Sequence, residues 1–285
     1  MATYPLRSSI SDTYPNPSNA TARTGLGQLW DYATSIPHGQ CRLIKSGANL
    51  VLQRYNGQWL RINDTTYSIP TAGVSLAATG LSAGTTYYIY AYMSGATMTL
   101  EASTTTHATD TNTGVEIKSG DATRTLVGMA RPITGPAWQD TTAQRFVISW
   151  FNPRPIYLQA VLASNTGNVN TGSYGVISSS LNLEFLTWST NAFAFKFQGR
   201  LGNNVANAVS TTSIFLDAAA AESFTSTQAY AASALQPVSC SLETSASEGY
   251  HAVNIYAQQD VVSTATYTGS GSPAVRCVHS GVIQG

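Results

Sequence analysis

Charge is what this 285-residue sequence lacks most. Asp, Glu, Lys and Arg make up 10% of it, against roughly 25% in an ordinary globular chain. The 14 basic and 14 acidic residues cancel, so no basic surface is offered to nucleic acid. With so little charge, nothing repels neighbouring copies, which suits a subunit that assembles better than a crowded monomer. Long apolar runs are missing too, and none approaches the ~20 residues needed to span a bilayer. The N-terminus lacks the basic start and apolar core of a signal peptide. These absences predict a soluble protein made in the cytoplasm, without membrane insertion.

Cysteine is scarce as well. Cys41, Cys240 and Cys277 are odd in number and share no CxxC spacing, which argues against a zinc site or a disulfide scaffold. Buried free thiols are the favoured reading, and Cys240 and Cys277 pair only if their strands are neighbours. The four histidines (His38, His107, His251 and His279) form no HExxH or His-x-His pair. There is no G-x-S-x-G elbow and no glycine-rich phosphate loop before a helix. His107 and Asp110 share a stretch in which a base and its orienter could sit. A polar surface loop fits that stretch, residues 104–114, better. Carboxylate pairs of the glycosidase kind can be far apart in sequence, so they are not excluded by spacing. The expectation is a protein that is not an enzyme and uses no cofactor or metal.

What the sequence does have is aromatic residues: 15 Tyr, 8 Phe and 5 Trp, with 43% hydrophobic residues overall. Such a chain folds, because a disordered one is poor in aromatics. Its length allows one large or two ordinary domains, each with a sizeable core. The most organised stretch is Thr85 to Ser103, which reads as a β-hairpin around a Ser94-Gly95 turn. Alternation gives it an apolar face with Ile89, Ala91 and Met93, and a second face carrying Tyr88, Tyr90 and Tyr92. In so uncharged a chain that ladder is expected to be covered by a second sheet, a neighbouring subunit or the adjoining module.

Residues 1–40 differ from the rest. Rich in Pro, Ser, Thr and Asn, they cannot form a core and read as an extended N-terminal arm. Its aromatics Tyr4, Tyr14, Trp30 and Tyr32 favour docking on another surface. Residues 41–134 read as successive strands of a β-sandwich or small barrel. Asn56-Gly57 predicts a hairpin there between residues 50–55 and 58–62. In it Trp59 lies between Arg54 and Arg61, either covered by arginine stems or as a platform for a ligand. Residues 135–155 read as a junction in which Trp150 and Phe151 pack the two modules together. Residues 156–285 alternate cleanly at Phe193, Phe195 and Phe197, and read as a jelly-roll-like sandwich with a helical turn near Ala218 to Ser223. The fold class is therefore all-β: an extended arm followed by two sandwich-like modules.

Three strings carry a resemblance. They are Thr86 to Tyr92 (TYYIYAY), Leu100 to Ser103 (LEAS) and Thr123 to Met129 (TRTLVGM). They resemble modules in structural proteins of tailed bacteriophages, in fibre-like or particle-decorating components. Glu248 to His251 before a strand, and the final Gly281 to Gly285, look like the terminal sandwiches of similar appendages. The resemblance covers about residues 40–133 and, more loosely, the C-terminal part. It implies a homotrimer, an N-terminal attachment segment contacting other virion proteins (capsid, neck or tail), and an outward C-terminal domain. The sequence has no coiled coil or repetitive shaft, which favours a compact appendage over a long fibre. The expected location is the virion. The alternative function is a receptor-binding module for host surface glycan, with Trp59, His107 and Asp110 as contacts.

Overall fold

The computed structural model describes residues 39–168, 172–189, 191–269 and 276–285. Tyr4, Tyr14, Trp30 and Tyr32 lie outside the described residues. The first module contains β1 (Cys41–Ser46), β2 (Asn49–Arg54), β3 (Trp59–Ile62), β4 (Thr65–Ser68), β5 (Val74–Ala77) and β6 (Tyr87–Ser94). It continues with β7 (Thr97–Ser103), β8 (His107–Thr109), β9 (Glu116–Lys118) and β10 (Asp121–Ala130). One sheet runs β7-β6-β10-β9-β8, and it is faced by β1-β2-β5 and the β3-β4 ladder. Between them lie Leu43, Leu50, Leu52, Leu60, Ile89, Ala91 and Val127, all buried. Two part-buried hydrogen bonds brace this packing: Thr125 Oγ1 donates across the layers to the Arg61 carbonyl at 2.7 Å, and Trp138 Nε1, from the junction, to the Leu76 carbonyl at 2.9 Å.

The central hairpin forms, with its turn one residue later than the sequence suggests. Ser94 faces Thr97, so the connecting pair is Gly95-Ala96. Gly95 sits at φ +59°, which places glycine at the first central position, as a type II′ turn prefers. Each partner moves by two residues, so Met93 faces Met98 and Tyr90 faces Glu101. An even shift leaves every side chain on its expected face.

The Asn56-Gly57 hairpin does not form. β2 pairs with β1 and β5, while β3 pairs with β4. Gln40 takes the place between the two segments: its amide donates to the Trp59 carbonyl at 2.7 Å and its carbonyl accepts from Tyr55 at 2.9 Å. Leu50 and Leu52 therefore point inward, and Val51 between them faces the other way.

The junction carries β11 (Pro132–Ile133), β12 (Ala137–Trp138), β13 (Gln144–Arg145) and β14 (Val147–Ser149). It stitches the halves together, since β14 pairs with β10 and β13 pairs in parallel with a strand of the second module. That module contains β15 (Pro155–Val161), β16 (Thr166–Asn168), β17 (Gly175–Val176), β18 (Leu183–Thr187), β19 (Ala192–Asn203) and β20 (Val209–Leu216). β21 (Ala219–Gln228), β22 (Gln236–Ser245), β23 (Gly249–Gln259), β24 (Ala265–Tyr267) and β25 (Val278–Gln284) complete it. The helical turn expected near Ala218 to Ser223 is instead the start of β21. Asp217 and Ala218 take positive φ and turn the chain back on β20.

Two sheets make up this sandwich, β13-β18-β23-β20-β21 and β15-β25-β19-β24-β16, with β22 on the other edge of β19. The chain crosses between them from β18 to β19 and back to β20, in jelly-roll fashion. Phe185, Phe193, Phe195 and Phe197 meet Val253 and Ile255 in the core. Cys240 and Cys277 are both free and buried, on strands separated by β19. Cys277 Sγ fits where Gly199 has no side chain; a Cβ there would lie 2.4 Å from the sulfur. At the end far from the junction, Asn203 Nδ2 donates to Gln259 Oε1 at 3.1 Å and to Ser263 Oγ at 3.0 Å, all buried.

Candidate functional site

The side chains with the richest chemistry meet where the two modules join. Outward-facing residues of the first module's main sheet (Tyr90, Leu126 and Met129) pack against Ile148 of β14 and against Leu186 and Trp188 of the second module. Trp150 and Trp188 meet edge to face, with ring centroids 4.9 Å apart. Burial of such an aromatic pair is worth about 1 kcal/mol beyond its area.

His107 sits over these rings, 5.5 Å from Trp150 and 6.0 Å from Trp188. Within residues 104–114, read as a polar surface loop and mostly exposed, His107–Thr109 form β8, paired with β9, and this turns His107 inward. Its Nδ1 is 2.5 Å from Glu116 Oε2, and its Nε2 is 3.2 Å from both carboxylate oxygens of Glu248, in the turn before β23. Both partners are carboxylates that accept, so the site favours the doubly protonated ring, which donates from both nitrogens. The Glu248 hydrogen bond raises the histidine above its usual range; burial opposes this and Glu116 adds to it. Tyr88 Oη also donates to Glu248, at 2.7 Å. Burial works to raise the Glu248 carboxyl, but the His107 and Tyr88 hydrogen bonds outweigh it and hold it low.

A second bridge lies beside the first. Tyr250 donates to Glu184, Gln144 Nε2 donates to the same carboxylate at 2.6 Å, and Arg131 stacks 3.8 Å from the Tyr250 ring centre. Each carboxylate in this cluster is committed to hydrogen bonds, and both ring nitrogens of His107 face carboxylate oxygens. What the arrangement does chemically is clamp two modules through charge-assisted hydrogen bonds. Among the described residues, no group of three or more His, Cys, Asp or Glu side chains is placed to hold a metal ion.

The residues singled out in the sequence divide as follows. Tyr88 and Tyr90 lie in the junction, Tyr90 fully buried with its hydroxyl on the Thr105 carbonyl at 2.8 Å. Tyr92 is half-buried under Arg124, whose guanidinium lies 4.4 Å from the ring centre. Trp150 is in the junction, whereas Phe151 packs into the first module's own core, against Gly39. Trp59 is half-buried on β3, with its amide on Gln40 Oε1 at 3.2 Å. Asp110 caps a turn, accepting from Asn112 N at 2.9 Å and Thr113 Oγ1 at 3.0 Å. His107 is committed to the clasp. The sequence offered no sign of Glu116, Glu184, Trp188 or Glu248, because their role exists only once distant strands meet.

No protein-family model matches the chain, and no curated protein matches it in sequence. Among solved structures, the insecticidal delta-endotoxin Cry8Ea1 from Bacillus thuringiensis aligns over 90% of this chain and 55% of its own, at 7% identity and TM-score 0.27. The chain thus spans about half the length of that toxin. A structure of infectious bursal disease virus, Gx strain, aligns over 87% of this chain and 69% of its own, at 13% identity and TM-score 0.26. Likeness at these scores carries no argument about fold family or function.

Proposed function

We propose that this chain is a structural protein of a tailed-phage virion, a compact trimeric appendage docked on the particle by its N-terminal arm. The observation that carries the reading is the clasp of His107, Glu248, Tyr88, Trp150 and Trp188. It ties the outward face of the first module's main sheet to the second module through hydrogen bonds and packed rings. A part that holds and projects needs a stiff connection, whereas a hinge would be built from weaker contacts. The opposite end of the second sandwich supports assembly. There the loops expose Tyr230 to 74%, Leu235 to 51% and Val262 to 89%, apolar groups that contact with another surface would cover. The proposed role is non-enzymatic.

Light scattering on the purified full chain at micromolar concentration tests the assembly. Three times the chain mass of 30.1 kDa is expected, and a clean monomer counts heavily against the reading. Removal of residues 1–36 should leave a folded trimer that no longer attaches to particles.

A further inference from the structure

Four of the chain's 14 basic residues line one groove at the junction, on the side bordered by β1 and β15. Arg42, Lys45, Arg145 and Arg154 face it, and Asp140 supplies its one acidic side chain. Its volume is about 460 Å³. Four cationic side chains face one carboxylate side chain, so the groove keeps a net positive charge. Arg42 turns Nε and Nη2 onto the Asn152 carbonyl at 3.0 and 2.8 Å and lies 3.7 Å from the Tyr55 ring centre. Arg145 does the same with the Tyr157 carbonyl, at 3.0 and 2.9 Å, leaving Nη1 only a long 3.5 Å contact with Asp140. Arg154 is exposed and has no side-chain partner among the described residues.

Two more observations narrow the ligand. Tyr157 is 69% exposed at the rim, an aromatic face that its own module leaves uncovered. Asp140 Oδ1 is buried without a hydrogen-bond partner among the described residues, so it calls for a donor. A second depression of about 590 Å³ shares Arg145 and Tyr157 and runs on past Gln159, Lys196, Ser241 and Ser280.

We propose that this groove binds an acidic saccharide. Its carboxylate is held by Arg145 and Arg154, a ring face lies on Tyr157, and the sugar chain continues across the second depression. Hydroxyls of such a ligand both donate and accept, which satisfies Asp140 Oδ1 as well as the polar lining. A polyglutamate peptide has carboxylates but no ring to lie on the tyrosine face and no hydroxyl to donate to Asp140 Oδ1. The inference goes beyond the structural role proposed above and does not depend on it.

Calorimetric titration of the full chain at low salt tests the site, with oligogalacturonate, oligosialic acid and hyaluronan oligosaccharides as probes. Neutral galacto-oligosaccharide and polyglutamate are the controls. At least one acidic saccharide is expected to bind saturably and to weaken with added salt. Arg154→Glu should then lower the affinity roughly tenfold or more, and Tyr157→Ala roughly fivefold. Both side chains stand clear of the core, so the melting temperature should not move. Absence of binding by all three acidic probes overturns the proposal, as does binding that both substitutions leave intact. Equal binding of polyglutamate with no effect of Tyr157→Ala identifies a peptide site and overturns it too.

Discussion

His107 and Glu248 are 141 positions apart in the chain and 3.2 Å apart in space. The contact spans the two modules, and it is charge-assisted on both sides. Replacing Glu248 by Ala leaves the imidazolium with one carboxylate and Tyr88 Oη without its acceptor. The expected loss is about 2–3 kcal/mol. Urea unfolding of Glu248→Ala, His107→Gln and the double variant checks this. The double variant should cost clearly less than the two single losses added together.

The clasp also has a pH signature. His107 is raised above 6.5 in the folded chain, so its contribution is complete below pH 6.5 and is lost as pH rises through the folded-state value. Glu248 is lowered below 4.5, so its contribution is complete above pH 4.5 and is lost as pH falls through the lower value. The melting-temperature difference between the native chain and His107→Gln should therefore be greatest at about pH 5–6. It should shrink on the alkaline side.

His279 pulls the other way. Fully buried against Phe195, it donates Nδ1–H to the Leu181 carbonyl at 2.8 Å, and burial pushes it down to about 4 from 6.5. A neutral buried histidine favours the fold above pH 6.5, and that advantage is lost progressively as pH falls to about 4. The shift corresponds to about 3 kcal/mol. His279→Gln should flatten the decline in stability across that range, read by thermal melts at stepped pH.

Gly128, in the middle of β10, lets two layers touch. A Cβ there would sit 2.4 Å from the Ile148 carbonyl oxygen and 2.5 Å from Leu43 Cδ2. The first of these is backbone and cannot swing away. Gly128→Ala is expected to cost about 3 kcal/mol or more. Gly47→Ala, in open space at φ +56°, should cost only about 1 kcal/mol. Parallel denaturation curves of the two variants separate crowding from backbone strain.

Much of the fold is legible in the sequence because strand faces follow a period of two. Phe193, Phe195 and Phe197 are all buried, and the central hairpin keeps its faces even though its turn is displaced. What local pattern does not contain is which strands meet. Asn56-Gly57 signals a hairpin, and the chain does bend there, yet Gln40 from outside the window takes the hydrogen bonds. Residues 104–114 look like a polar loop because β8 is short and its one inward-turned side chain is a half-buried histidine. The clasp is invisible for the same reason: an isolated Glu248 near a turn resembles any solvated acid. The aromatic ladder was the readable half of the junction, since tyrosines in a charge-poor chain need cover.

The far end of the second sandwich rests on a polar floor, the buried group around Asn203, Gln259 and Ser263. Val205, Leu235 and Val262 lie in three separate connections above that floor. Substitutions at these three side chains should leave the strand registers and the distant clasp untouched, although the same connections anchor the floor through Ser263 Oγ and the Val205 amide. A charged clasp thus fixes one end of the sandwich, while at the other the apolar side chains stand in loops, clear of any strand register.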